Sequence, residues 1–420
     1  MGRFAALAPP SLSLGIDTYH LTSSTALKSP LPTELEAVRE KALRAIRPLK
    51  PLDSSTEHDP KTLFLARRTN AGRELPPYYL VYFLLVDLLG FPYAGKWEKT
   101  AWSVAVDWRG RGFLIEHRKM GLGVFAQDVE HDESAAREIV IRIQKAVRAA
   151  QPFFEWLAGE AVSRSAVNVV NNASSLLGRY VFLRDSYHSK CDEYAKRKTE
   201  RVVTEGTTTE GGTWAHTSYP AFHLVAESNW LAISAVEAFF AWTEHIFIHV
   251  AVMMGRKSTA TEITEMAEAD WSVKFQSALD PTDSGAKTHY DRLVSLRKEL
   301  RNYVAHGAFG KQGEAFFFHS GAGAVPVLLP HKAGSRKFKI AHGLSFDAPA
   351  AFSAMEDFIA YLWSDERAPA EIYIQQSELP LILTYVHDGT YSRAMNSAED
   401  MEEFVRHLTG EFDRAADMDW

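Results

Sequence analysis

Between Trp230 and Gly255 the chain reads WLAISAVEAFFAWTEHIFIHVAVMMG, its one run of membrane length. Whether this run meets lipid or protein decides what the whole chain can fold into. Glu237, Glu244, His245 and His249 interrupt it, and each carboxylate at mid-span would cost about 2.5 kcal/mol or more in hydrocarbon. The run is therefore expected to be a long buried helix of a water-soluble bundle, with no membrane partner. A second apolar stretch, PPYYLVYFLLVDLLGF ending at Phe91, is too short to span a bilayer and reads as another core helix.

With 420 residues, 46% of them apolar, the chain can bury at least two cores, so two or three domains are expected. The patterns indicate the α+β class. Residues 1–155 read as a small α/β domain. It holds a helix over TELEAVREKALRAIRPL with Thr33 and Glu36 as a capping box. A hairpin and third strand flank RGRG in AWSVAVDWRGRGFLIEHRKMGLGVFAQD, and helical ESAAREIVIRIQKAVRAAQPFFEWLAG follows. Residues 156–365 read as a helical domain with long helices over SLLGRYVFLRDSYHSKCDEYAKRK, around 222–254, around 261–279 and over 289–306. Between the first two, TEGTTTEGGTWAH reads as a mobile loop. Within that domain EAFFFHS, VPVLL and KFKIAH suggest a strand-rich insertion near 308–345, and PAAFSAMEDFIAYLW a closing helix. Residues 366–420 read as a small α/β segment, with EIYIQ and LPLILTYV as strands before an acidic helix.

The single cysteine, Cys191, excludes an intramolecular disulfide and a cysteine-only metal cage, which fits a reducing compartment. The start, MGRFAALAPPSLSLG, lacks a sustained apolar core for secretion, so a cytoplasmic location is expected. The net charge of −7 is concentrated at one end. Glu399, Asp400, Glu402, Glu403, Glu411, Asp413, Asp417 and Asp419 stand against Arg406 and Arg414 alone. Such a helix either mimics a nucleic acid and restrains a binding surface, or presents a solvated face. The near-neutral remainder speaks against a DNA-coating protein and leaves room for an enzyme acting on nucleic acid.

The stretch LRKELRNYVAHGAFG, Leu296 to Gly310, carries the chemistry. An arginine followed four to six residues later by histidine also occurs at Arg111/His117 and Arg336/His342, so spacing alone selects nothing. Of these three pairs only Arg301/His306 lies on a strong helix, and only there does an amide, Asn302, directly follow the arginine. At 100° per residue, Leu293, Leu296, Leu300, Tyr303 and Val304 form one apolar stripe, while Lys298, Asn302 and Ala305 face away from it. Arg301 and His306, about 140° apart, border that polar sector, and Asn302 and His306 are i, i+4 neighbours. With Gly307 closing the helix, His306 would stand among the last free carbonyls, where its protonated form is favoured. An amide steadying an imidazole beside a guanidinium suits a phosphate.

RNYVAH, Arg301 to His306, resembles the Arg-x4–6-His motif of the HEPN superfamily of ribonucleases, which commonly has a polar residue after the arginine. The resemblance covers roughly residues 161–306, including Glu237 in SAVEAFF. It implies a HEPN-like α-helical bundle preceded by the small α/β domain and followed by short strands and the acidic helix. It further implies metal-independent RNA cleavage, with the 2′-OH attacking to leave a 2′,3′-cyclic phosphate and no cofactor. His306 would move the proton, Arg301 would neutralise the phosphorane, Asn302 would orient either, and Glu237 would support the cluster. Arg297 and Lys298 would hold RNA phosphates. Family members pair their motifs in a homodimer, here through helix 289–306, and often act as toxins or antiviral effectors with a neutralising or sensing partner. Two other readings stand beside this one: an inactive HEPN-like module that binds RNA or a nucleotide, and a protein whose helices only dimerise.

The remaining constellations read as structural. His245 and His249 are i, i+4 but lack the HExxH order of a zinc helix. Glu237 reads equally as part of a buried ion pair. Asp107, Glu116 and Lys119 echo a metal-dependent nuclease, with Arg118 in place of the usual lysine. Arg109, Arg111, Arg118 and Lys119 make a basic hairpin tip that could touch phosphates or simply be solvated. His188 and Cys191 form half of a zinc set with no matching half.

Overall fold

The structure, a computed structural model, describes residues 31–53, 65–209, 211–304, 316–328, 338–340 and 346–418, with residues 301–304 as backbone. The chain is of mixed α and β structure and divides into two compact units, residues 1–166 with 406–420 and residues 167–405.

The first unit is built on five antiparallel strands, β1 (Lys50–Pro51), β2 (Arg67–Arg68), β3 (Thr100–Trp108), β4 (Arg111–Arg118) and β5 (Gly121–Ala126), in the order β1-β3-β4-β5-β2. RGRG makes the β3–β4 turn: Trp108 pairs with Arg111, and Arg109 and Gly110 between them have φ of 54° and 88°. Two left-handed residues give the reversal whose twist matches the flanking strands. Val104, Val106, Phe113, Ile115 and Val124 point from one face of the sheet into a core shared with α1 (Thr33–Ile46), α2 (Tyr78–Leu88) and α3 (Val129–Ala149). The α3 positions Ala135, Ala136, Ile139, Val140, Ile143, Ala146 and Val147 make the matching helical stripe.

The capping box expected at α1 does not form. Pro32 is the cap, Thr33 is already the first helical residue, and Glu36 sits 3.6 Å from Arg39 instead. The next helix, α4 (Gln151–Ser163), runs through the boundary expected at 155.

The second unit opens with β6 (Asn168–Val169) and an antiparallel pair of long helices, α5 (Ala173–Arg197) and α6 (His223–Met253). Tyr180 meets Phe239 at 5.7 Å towards one end of the pair, and Lys190 meets Glu227 at 2.8 Å towards the other. The segment expected to be a loop between them is a β-hairpin of β7 (Val202–Thr207) and β8 (Thr213–Ser218). Its β-branched residues favour extended backbone, and Gly211, at φ 83°, helps reverse the chain. The apolar run of α6 is a core helix as expected, with Ala232, Val236, Phe239, Trp242, Ile246, Phe247 and Val250 all fully buried. Trp242 donates its indole N–H to Gln375 at 3.1 Å, so burial leaves no polar atom of the ring unmet.

The single helix expected over 261–279 is two, α7 (Ala260–Glu268) and α8 (Trp271–Ala278). Thr259 and Glu262 close a capping box on the first, and extended backbone at Ala269 and Asp270 separates the pair. Next come α9 (Ser284–Val304), the three-stranded sheet β9 (Phe316–Ser320), β10 (Gly323–Leu328) and β11 (Lys339–Ile340), and α10 (Ala348–Leu362). Phe239, Phe247, Trp271, Phe275 and Phe358 join α6, α8 and α10 through ring contacts of 5.3–6.1 Å.

EIYIQ, expected as a strand, is helical over Ala368–Glu371 and Ile372–Gln376. Pro369 suits a first helical turn, and both Tyr373 and Ile374 are fully buried. Of LPLILTYV only β12 (Leu381–Ile382) is extended, pairing with β6. The acidic helix, α11 (Ala398–Asp417), is amphipathic and not merely solvated. Phe404 stacks on Tyr373 in the second unit, Leu408 and Phe412 are buried, and Met418 just beyond enters the core of the first unit. Deleting residues 397–420 would therefore strip packing along with charge, and a test of autoinhibition has to neutralise exposed carboxylates instead.

Candidate functional site

Helix α9 delivers the expected catalytic segment, and its own sequence explains how it is held. Asp283 begins it by accepting the Ala286 N–H at 2.9 Å and the Tyr361 hydroxyl at 2.5 Å, contacts that hold its carboxyl below the usual range. One turn on, His289 stacks on Tyr361 at 4.7 Å, and Arg292 pairs with Asp357 at 2.9 Å. The apolar stripe follows as the wheel requires, with Leu293, Leu296 and Leu300 at 0%, 6% and 7% exposure. Lys298 is exposed on the opposite side.

Arg297 is engaged within the unit. Its guanidinium lies 3.4 Å from Glu244 and stands over the rings of Phe240 and Trp271, at 5.7 and 5.8 Å. Glu244 also receives Lys274, at 3.2 Å, whose ammonium group is carried on a residue only 7% exposed. One carboxylate thus holds two cations from α8 and α9, beside the Trp271 indole, which itself donates to Thr243 at 2.9 Å. The cluster fixes α9 against α6 one turn before Arg301.

The α9 backbone continues through Arg301 and Asn302 in its last described turn; their side chains, together with His306 and Gly307, lie outside the described residues. Tyr290 packs at the level of Phe275, which meets Phe247, while Arg297 is level with Phe240. The helix thus heads towards the N-terminal half of α6. Glu237, in that half, is exposed and is not the buried carboxylate that the ion-pair reading called for.

A test of the charge cluster follows from its burial. Glu244→Ala leaves Lys274 without its counter-charge and should lower stability by about 2 kcal/mol, moderated by the partial exposure of the carboxylate. Adding Lys274→Met should recover much of this, because an unbranched apolar chain can occupy the same channel. Urea denaturation of the single and double variants measures both. An unimproved double variant would place the role of Glu244 elsewhere.

The other constellations are structural. His245 Nε2 accepts the Asn172 N–H at 2.9 Å, and His249 Nδ1 donates to the His245 carbonyl at 3.0 Å. Burial lowers their basicity to about 3 and about 4 respectively, keeping both neutral near pH 7. Asp107 and Glu116 share a sheet face, but Asp107 pairs with Gly112, four residues from Glu116. That separation is about 13 Å along the strand, too far for one metal ion, which corrects the nuclease echo. The basic tip is likewise committed: Arg109 to Glu138 at 3.3 Å, Arg111 to Asp132 at 2.5 Å, Arg118 to Glu116 at 2.5 Å and Lys119 to Asp417 at 2.7 Å. Among the described residues no group of three or more His, Cys, Asp or Glu side chains converges as a metal site, and His188 packs near Phe352.

Sequence reasoning missed two features. Glu244 with Lys274 and Arg297 comes from three separate helices, so no spacing could announce it. The exposed hairpin was legible in the alternation of VVTEGT and TWAHTS around a Gly-Gly pair. Compared with known proteins, the chain matches no family model, no curated protein and no solved structure.

Proposed function

We propose that this chain is a metal-independent endoribonuclease of HEPN type, acting as a toxin or antiviral effector in the cytoplasm. The observation that carries the reading is the sequence RNYVAH, whose first four residues are the last of α9, a helix whose apolar stripe is buried and whose anchors are in place up to Arg297. The long antiparallel helices α5 and α6, with α8 and α9 against α6, supply the kind of bundle that the resemblance implies. His306 exchanges the proton of the 2′-OH and leaving oxygen, Arg301 neutralises the phosphorane and Asn302 orients them. Exposed Lys298 serves RNA phosphate, whereas Arg297 acts as a strut to Glu244.

A single His306 per chain suits a shared cleft between two copies, with the α9 helices beside a two-fold axis. The test is incubation of the full chain with total RNA in EDTA, followed by end-group analysis. Fragments ending in 2′,3′-cyclic phosphate are expected. Strict dependence on Mg²⁺ or Mn²⁺, or intact RNA under all conditions, would refute the reading, and an active monomer in sedimentation would refute the shared cleft.

A further inference from the structure

The hairpin β7–β8 is built unlike the rest of the second unit. None of its twelve paired residues is buried, so its side chains add nothing to a core. Register divides it into two faces. Val202, Thr204 and Gly206 share one with Trp214, His216 and Ser218, while Glu205 lies on the other. Trp214 pairs across from Gly206 and lies close over it: a Cβ at residue 206 would stand 2.6 Å from the indole. The glycine thus lets the ring rest against the backbone, and the indole residue remains 47% exposed. A large aromatic held in this way on an exposed strand is a platform.

The base of the hairpin carries the matching charge. Lys196, Lys198 and Arg201 are exposed and make no ion pair among the described residues, whereas Arg197 beside them is held by Glu193 and Glu200. Cations free of ion pairs among the described residues, at the base of the strand pair that carries the stacking platform, with the strand carboxylate turned to the opposite face, complement a flexible polyanion bearing flat bases.

We propose that this hairpin is a contact for single-stranded RNA, in which bases stack on Trp214 and His216 while Lys196, Lys198 and Arg201 meet the phosphates. The proposal rests on the ribonuclease reading for its choice of ligand but concerns residues outside RNYVAH. It assigns the hairpin to substrate capture and leaves bond cleavage to α9. Stacking is tolerant of sequence because every base offers a π face, so capture here is not base-specific.

Binding can be measured apart from cleavage. A fluorescent 2′-O-methyl oligonucleotide lacks the internal nucleophile, so the unaltered full chain can be titrated with it by anisotropy. Trp214→Ala should weaken binding about tenfold, a typical loss for one stacked base. Gly206→Val, which keeps the ring but displaces it, should weaken binding comparably. Lys198→Ala with Arg201→Ala should flatten the salt dependence by about 1.4 in log–log slope, as expected for two lost phosphate contacts to a single strand. Circular dichroism should stay unchanged, because these side chains are exposed. Absence of binding by the unaltered chain, or binding by Trp214→Ala and Gly206→Val as tight as that of the unaltered chain, overturns the proposal. Failure of the ribonuclease reading shows separately, as uncut natural RNA.

Discussion

His306→Ala should lower the rate of RNA cleavage by about a thousandfold or more, and Arg301→Ala by a similar factor, with neither shifting the unfolding midpoint. General acid–base assistance contributes about 10²–10⁴ in rate, and a charge aimed at a developing phosphorane contributes on a comparable scale. Both residues follow the anchored part of α9, so removing them leaves Leu293, Leu296, Leu300 and the Glu244 cluster in place. Arg297→Ala should behave differently. It breaks the pair with Glu244 and uncovers Phe240 and Trp271, lowering stability by about 1 kcal/mol while reducing turnover much less than Arg301→Ala. Initial rates in EDTA, paired with urea midpoints, separate the two patterns. Equal loss of activity in the two arginine variants would deny Arg301 its special role.

Acidification from pH 7 to 5 should destabilise the protein, chiefly through buried histidines. Burial holds His117 at about 4, His245 at about 3 and His249 at about 4, against about 6.5 in an unfolded chain. Between about pH 6.5 and 4 the unfolded chain takes up protons that the folded chain refuses. Their contribution is therefore full above pH 6.5 and is lost as the pH falls. One such group can give a slope of about 1.4 kcal/mol per pH unit. His249, at 1% exposure, should approach it, and the more accessible His117 and His245 should contribute less.

Asp87 works in the opposite sense. Burial raises it to about 6, so its proton stabilises the folded state on acidification below that value and offsets part of one histidine. Urea denaturation at pH 7.5, 6 and 5 gives the slope, and His249→Leu should flatten it for the second unit alone. A flat profile in the unaltered chain would mean that the folded protein accepts these protons after all.

The patterns that could be read locally are those in which one element states its own environment. WLAISAVEAFFAWTEHIFIHVAVMMG is apolar on most sides, and most of its apolar side chains are buried within the second unit. RGRG offers the two left-handed positions of a tight reversal, and the Leu293–Leu296–Leu300 spacing marks the buried side of α9. RNYVAH was likewise legible, and its standing as a candidate site rests on sequence, because His306 lies outside the described residues.

Tertiary structure alone decided the rest, because partners distant in sequence outweighed local preference. EIYIQ has the composition of a strand, yet Tyr373 is buried in a helical turn with its hydroxyl donating to the Pro380 carbonyl at 2.7 Å. The cations of the β4 hairpin look available in sequence but are each claimed by a carboxylate, Asp417 being contributed from almost three hundred residues away. Arg297 looks like an RNA ligand until Glu244 and two aromatic rings meet it. Periodicity reports which side of an element avoids water; which charge meets which depends on the packing of elements that no local pattern encodes.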